Sequence, residues 1–496
     1  MASLLATGLI GLIGPAARAD VACPPIFGPG MVLQRDLPVP VWGTAEPGEK
    51  VVVAFGGQTV ETVAEADGRW RVALAPLSAS VQPRTLEVRG SNRLEFPDVL
   101  VGEVWFLSGQ SNMEKQLGPR QGQRPTDGYE AELARADCPA LRLFQVPRHG
   151  RPKSNDGSLA WHACTAEALT RTTFSAAGYY FGRELVRELG VPVGLVHASY
   201  GGTRIEAWMP PEAFDLDPAL APLRRETYQA WVKGTQPTEL YASMVAPFAP
   251  FAVRGFLWYQ GESNCLNAEH LIYATKMRAL IASWRRTWGR PDAPFYYAQL
   301  APFAYSKMEG REKQLTPHAL PALREAQIAA LDAPHTGMVP TSDLAGDGSD
   351  LHPTNKRDVG LRFAWLALAD TYGWRAEVQP PRFRAARDAG RATIEIEFAH
   401  AKGLHTRDGA PPSCWEIAGP DRIFHPAQAT IARDRLRVSS PVVTRPVAVR
   451  FAWHELAMPN LVNGAGLPAL PFRTDDWPLV LEAAKADEAA APSRPN

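Results

Sequence analysis

Apolar and polar positions follow three successive rhythms along this chain. From about residue 20 to 98 the apolar runs are short: Val39–Gly43, Val51–Phe55, Trp70–Leu74 and Thr85–Arg89, separated by turn residues such as Glu46-Pro47-Gly48 and Asp67-Gly68. Runs this brief, punctuated this often, predict an antiparallel β unit of sandwich type. From 99 to 378 apolar runs alternate with longer helical patterns. The predicted strands are Val99–Leu107, Val193–Ala198, Val253–Tyr259, Phe295–Leu300 and Gly337–Thr341. Helical spacing covers Ser175–Leu189, stopped by Gly190, then Asn267–Trp288 and Asn355–Tyr372, where Val359, Phe363 and Leu366 share one face. Such alternation predicts a parallel sheet covered by helices on both faces. From 379 to 481 short strands return, at Ala392–Phe398, Cys414–Ala418, Leu436–Val438 and Val447–Trp453, and predict a second β unit. The last stretch, 482 to 496, is rich in Ala, Pro and charge and reads as disordered.

The chain opens on an apolar run, Leu4 to Gly14, followed by Pro15 and the small-x-small segment Ala17-Arg18-Ala19. It is too short for a membrane span and predicts an export leader, residues 1–19, with a mature chain from Asp20 in the periplasm or outside the cell. The positive charge usual near the start of such leaders is missing. No other run approaches the roughly 20 apolar residues of a spanning helix.

Composition narrows the partners. With 52 basic and 52 acidic residues in 496, no global field draws the chain to nucleic acid or to an anionic membrane, so a small or neutral partner is expected. The five cysteines, Cys23, Cys138, Cys164, Cys265 and Cys414, show no CxxC spacing and no neighbouring histidine pairs, so no structural zinc site is expected. In an oxidising compartment Cys138 and Cys164 could pair; an odd count leaves at least one free thiol, and burial as a free thiol is the default.

The chemistry gathers at the carboxyl ends of the predicted strands. Gly109-Gln110-Ser111-Asn112-Met113 follows the first strand, and residues after the serine can begin a helix whose N-terminus favours developing negative charge. Three more polar clusters sit at or shortly after strand ends: Ser199-Tyr200-Gly201-Gly202-Thr203-Arg204, Gln260-Gly261-Glu262-Ser263-Asn264 and Asp350-Leu351-His352-Pro353. A parallel sheet brings those ends to one edge. Acyl transfer assigns the roles: Ser111 as nucleophile, His352 as its base, and Asp350 as the carboxylate that orients the histidine, with Asp343 and Asp347 as rivals. His162, His270, His318 and His335 are not placed after a strand end with a carboxylate close by. The oxyanion needs preorganised donors, each typically worth about 3 kcal/mol. The candidates are the Ser111 amide, a glycine amide from Gly201-Gly202, and the Gln260 side chain. Arg204, Glu262 and Asn112 are candidates for sugar contact, Arg204 for a carboxylate, although a structural ion pair beneath the site suits Arg204 and Glu262 better.

With these residues in place the chain resembles the sialate O-acetylesterase family, a branch of the SGNH (GDSL-like) serine hydrolases, from about Pro24 to Asp476. The segments that carry the resemblance are Ile26-Phe27-Gly28 with Met31 to Arg35, Gly102 to Trp105, Gly109 to Met113, Gly201-Gly202-Thr203, Trp258 to Asn264, Asp350 to Lys356 and Pro471 to Asp475. The resemblance implies a three-layer α/β/α catalytic domain at 99–378 flanked by β domains at 20–98 and 379–481. It also implies a serine esterase that removes acetyl groups from sugar hydroxyls without metal or other cofactor. Two positions depart from the wider pattern: its aspartate stands three residues before the histidine, where this chain has Ser349, and its third oxyanion donor is commonly an asparagine, where Gln260 is expected. The family name suggests O-acetylated sialic acid, while related exported enzymes act on acetylated xylan or xyloglucan. A sialate pocket should present a cation, with Arg204 the nearest; a neutral glycan pocket would use aromatic platforms such as Trp208, Tyr200 or Trp258. The competing non-enzymatic reading is a carbohydrate-binding protein, against which the Ser111, Gln260 and His352 set argues.

Overall fold

A seven-stranded sheet forms the middle of the molecule. The computed structural model describes residues 20–153, 156–227, 232–308 and 314–482; the expected leader, and the expected tail apart from Glu482, lie outside them. The strands are β1 (Arg93–Gly109), β2 (Cys138–Gln145), β3 (Trp161–Cys164), β4 (Val193–Ser199), β5 (Gly255–Tyr259), β6 (Phe295–Ala298) and β7 (Thr336–Val339), in spatial order β7-β6-β5-β1-β4-β2-β3. All neighbours run parallel except β3, which is antiparallel to β2 at the edge. The helices that bear on the site are α1 (Ser111–Glu114), α2 (Ala176–Leu189), α3 (Glu262–Cys265), α4 (His270–Thr287), α5 (Ala319–Ala329) and α6 (Lys356–Asp370).

β1 reads apolar on both faces because both are covered. Successive side chains point to opposite faces: Trp105 meets Phe181 of α2 edge-on at 5.3 Å between ring centroids, and Phe106 meets Trp284 of α4 at 5.7 Å. The result is the expected three-layer arrangement. The helix ends follow their sequence signals: Ser175 caps α2 through its hydroxyl, Gly190 closes it at φ +64°, and Asn355 caps α6.

The N-terminal β unit is less separate than its rhythm suggests, because β1 crosses the boundary expected at residue 98 as one continuous strand. Its first half pairs with Ser80–Arg89 and its middle with Val32–Gln34, so unit and sheet share one apolar core. Buried Glu103 on β1 fastens the join by accepting hydrogen bonds from Gln34, Arg35 and Arg254; despite burial these donors, above all the Arg254 cation, hold its carboxyl below the usual range. The C-terminal unit has its own core around Ile396, Trp415, Leu436 and Phe451 between two four-stranded antiparallel sheets. Arg473 ties it to the helical layer through Glu325 of α5 at 3.1 Å. Cys138 and Cys164 stand opposite each other in the β2–β3 register, yet all five thiols are free, so the pairing left open for them is not made.

Candidate active site

The carboxyl ends of β1, β4 and β5 meet at one edge of the sheet, and the loop before α6 closes over them. At the end of β1, Gly109 has φ +137°, and a Cβ there would lie 2.2 Å from the Tyr259 carbonyl oxygen, so only glycine lets the chain turn this tightly against β5. The turn delivers Ser111 to the start of α1. Its Oγ lies 2.8 Å from His352 Nε2, which comes from a segment 241 positions away. Gly201, after β4, packs against the serine: a Cβ at Gly201 would sit 3.0 Å from Ser111 Cβ. Its N–H is directed at Glu114 Oε2 at 3.3 Å.

His352 is held neutral. Burial, and then the nearby Lys356 and Lys115 ammonium groups, push its pKa down to about 4 against the opposing pull of Asp350. Asp350 Oδ1 accepts the main-chain N–H of His352 at 2.8 Å, and among the described residues no carboxylate accepts a hydrogen bond from the imidazole Nδ1. Asp350 therefore fixes the histidine's backbone rather than its ring. The rivals are engaged elsewhere: Asp343 pairs with Arg362 at 2.6 Å and Arg407 at 3.2 Å, and Asp347 binds Ser349.

Three further expected roles are not met. The Gln260 amide is fully buried and turned to the protein, its Nε2 facing Thr203 O at 3.0 Å, Asn264 Oδ1 at 2.7 Å and Gln110 Oε1 at 3.1 Å. With two protons and three acceptors, it has no donor to spare for an oxyanion. Arg204 does not line the cavity; it lies in a buried network with Glu206, Glu269 and Lys276, the ion pair that was the alternative reading. Asn112, expected to meet sugar, is 1% exposed. It is instead a latch: Nδ2 donates to Glu262 Oε1 at 2.5 Å and to the Leu351 carbonyl at 3.0 Å, while Oδ1 accepts from Lys356 Nζ at 2.7 Å. Thus the residue after the nucleophile is bonded to the residue before the base. Lys356 had appeared in the sequence only as part of a motif.

A cavity of about 300 Å³ opens over Ser111 and His352, with Gly201, Gly202 and Glu262 in its wall. At its mouth Arg120 and Arg148 clamp Glu114, at 3.2 Å and 2.6 Å, and continue into a larger cavity of about 760 Å³. Arg151, Lys153 and Arg171 also line that second space, so with Arg120 and Arg148 five cations face the two carboxylates Glu114 and Asp156. Most of these residues lie in loops or at the ends of short helical turns and carry no motif, so sequence reading passed over them. Tyr200 lies in the larger cavity with the Arg148 guanidinium 4.6 Å from its ring centre, whereas Trp208 and Trp258 are core residues. Among the described residues no group of three or more His, Cys, Asp or Glu side chains is placed to hold a metal ion, and no helix is long and apolar enough to cross a membrane.

Comparison with known proteins gives the family. A family model described as carbohydrate esterase, sialic acid-specific acetylesterase, matches residues 101–369, from inside β1 to the end of α6. The human (Homo sapiens) sialate O-acetylesterase is 30% identical over 373 residues, covering 69% of each chain. The mouse (Mus musculus) sialate O-acetylesterase is 29% identical over 405 residues, covering 69% of this chain and 72% of its own. The crystal structure of a carbohydrate acetylesterase from Xanthomonas citri superposes with a TM-score of 0.80 at 36% identity, covering 92% of this chain and all of that one. The chain belongs to the sialic acid-specific acetylesterase family of carbohydrate esterases and is a carbohydrate O-acetylesterase.

Proposed function

We propose that the chain releases acetate from O-acetylated sugars through an acetyl-enzyme on Ser111, with His352 as general base and then general acid. The observation that carries this is the 2.8 Å contact of Ser111 Oγ with a neutral imidazole at the floor of a sugar-sized cavity. In acylation His352 Nε2 takes the Ser111 proton as Oγ attacks the acetyl carbonyl, then passes it to the departing sugar oxygen. Water enters by the same route in reverse, and acetate leaves. The Ser111 N–H and the Gly201-Gly202 segment supply oxyanion donors, the Gly201 N–H exchanging its long contact with Glu114 for the shorter bond to the oxyanion. Asp350 keeps the histidine's main chain in place through the bond to its N–H.

The pKa of His352 gives a first expected outcome. The base must be neutral, so kcat/KM should fall on the acid side only as pH drops through about 4, well below an ordinary histidine near 6.5. The sign for stability is consistent: a histidine whose pKa is lowered by folding stabilises the native state fully above about 6.5, and that contribution is lost as pH falls toward about 4. A pH profile of kcat/KM with an acid limb near 6.5 would contradict the assignment.

The sugar is an acidic one of the sialate kind rather than neutral acetylated xylan or xyloglucan. The cations Arg120 and Arg148 at the cavity mouth support this, as does the burial in the core of two of the three aromatics expected to make a neutral platform. Arg148→Gln should raise KM for O-acetylated sialic acid about tenfold while leaving acetylated xylo-oligosaccharide unaffected, and added salt should mimic it. Equal turnover of both sugars, indifferent to salt, would favour the plant polysaccharide reading. Export is proposed from the Leu4–Gly14 run and Ala17-Arg18-Ala19; the secreted protein should begin at Asp20 by N-terminal sequencing.

A further inference from the structure

The cavity over Ser111 does not end at its mouth. The segments Ser111 to Arg120 and Ser199 to Gly202 each give some residues to it and others to the larger cavity outside, and Glu114, Arg120 and Arg148 line both. A sugar whose acetyl group lies at Ser111 therefore has beside it a space more than twice the volume of the one that holds the ester, about 760 Å³ against about 300 Å³. The charge of that space is unbalanced. Glu114 is shared by Arg120 and Arg148, which leaves one positive charge at the mouth, the one assigned above to the carboxylate of the acetylated sugar. Further out, Arg151, Lys153 and Arg171 share the wall with a single carboxylate, Asp156, so two more positive charges remain.

The outer cations are available. Asp156 is occupied by its own loop, Oδ1 accepting the Ser158 N–H and Oδ2 the Lys153 main-chain N–H, each at 2.9 Å. The Arg151 side chain makes no hydrogen bond or ion pair among the described residues. Arg171 is held in place without being neutralised. It ends the short helix Ala166–Arg171, where the helix dipole favours a cation. The Gly157 carbonyl, 2.7 Å from His162 Nε2, can only accept, so Nε2 carries the proton and Nδ1 accepts from Arg171 Nη2 at 3.1 Å. The carboxylate nearest Arg171, Glu167, is 3.8 Å away with its side chain 82% exposed, a pair of little strength in water. The remaining guanidinium donors are unclaimed.

We propose that the outer cavity is a second sugar subsite for an anionic residue. The preferred substrate is then an acidic glycan in which the residue next to the acetylated one carries its own carboxylate, met by Arg151 and Arg171. This rests on the acidic-sugar reading above and goes beyond it by requiring a second charge. No chemical step is added: the second residue is bound equally before and during reaction, so it lowers KM and leaves kcat alone.

Three substrates bearing the same O-acetylated sialic acid test it: the free monosaccharide, its glycoside with lactose, and its dimer with an unacetylated second sialic acid. The dimer should show a KM about tenfold below that of the monosaccharide at similar kcat, and added salt should erase the difference. The lactose glycoside, whose neighbouring residue is neutral, should show no such gain. In a variant carrying Arg151→Gln and Arg171→Gln, the KM of the dimer should rise to that of the monosaccharide; both side chains are exposed, and circular dichroism checks the fold. The proposal is overturned if the lactose glycoside gains as much as the dimer, which would make the cavity a subsite for any sugar, or if the double variant keeps the dimer's advantage. Turnover of the monosaccharide with no preference for the dimer in the wild type removes the second charge alone. Turnover of acetylated xylo-oligosaccharide and of none of the three acidic substrates removes the acidic-sugar reading, and this proposal with it.

Discussion

Replacing Ser111 with alanine is expected to reduce kcat for acetate release by about ten-thousandfold or more while the protein folds as before. The side-chain oxygen bonds to His352 Nε2 and to no other described residue, so its removal leaves no structural bond broken elsewhere. The alanine Cβ preserves the packing against Gly201. His352→Ala should fall by a similar factor, because serine without base and base without serine are equally idle. The double variant should be scarcely slower than either single one, since groups that act as a unit do not add. Acetate release from an O-acetylated sugar, with thermal melts of each variant, gives the comparison. Multiplying losses in the double variant would show that the two residues act separately.

The second large effect belongs to Asn112, which touches no substrate. Asn112→Ala leaves the Lys356 ammonium, the Glu262 Oε1 and the Leu351 carbonyl each without the partner it has now, the first two in a buried setting and the third half-buried. Stranded buried polar groups of this kind cost about 1–3 kcal/mol each, more for a charge, so a loss of about 3 kcal/mol in unfolding free energy is expected. The same change frees the His352 segment from the Ser111 turn. A small misplacement of a reacting pair costs up to about a hundredfold in rate, so kcat should fall between tenfold and a hundredfold. Denaturant titration and kcat should move together; a variant of wild-type stability and rate would show that the latch is ornamental.

How far the sequence could be read depended on what each residue's neighbours leave visible. β1 was legible from Val99 to Leu107 because that part is covered on both faces and so is mostly apolar, and α2 and α6 because Ser175, Gly190 and Asn355 mark their ends. β2 and β3 were not, since Arg142, Gln145 and His162 interrupt their apolar runs; Arg142 is buried only because Asp98 is there to pair with it. α5 hid for a related reason, with Pro321 in its first turn and the polar Arg324 and Gln327 turned inward to bond the Leu300 and Ala298 carbonyls.

At the site, the strand rule correctly foresaw which segments meet, and Ser111 and His352 do touch. It could not say where a side chain points once it arrives. Gln260 and Arg204 sit at the proper edge and turn into the protein, and Asn112 is one residue from the nucleophile yet bonds only to protein groups. The basic loops are the opposite case: Arg120 and Arg148 reach the cavity from stretches without period or motif, so only the folded chain reveals them.

The account stands most directly on the acetyl group passing through Ser111. Wild-type protein mixed rapidly with acetyl donor, quenched in acid and digested, should yield a peptide containing Ser111 that is heavier by one acetyl group, and the same peptide from Ser111→Ala should be unlabelled. Label on another residue, or turnover with no acetylated peptide at any time point, would contradict it.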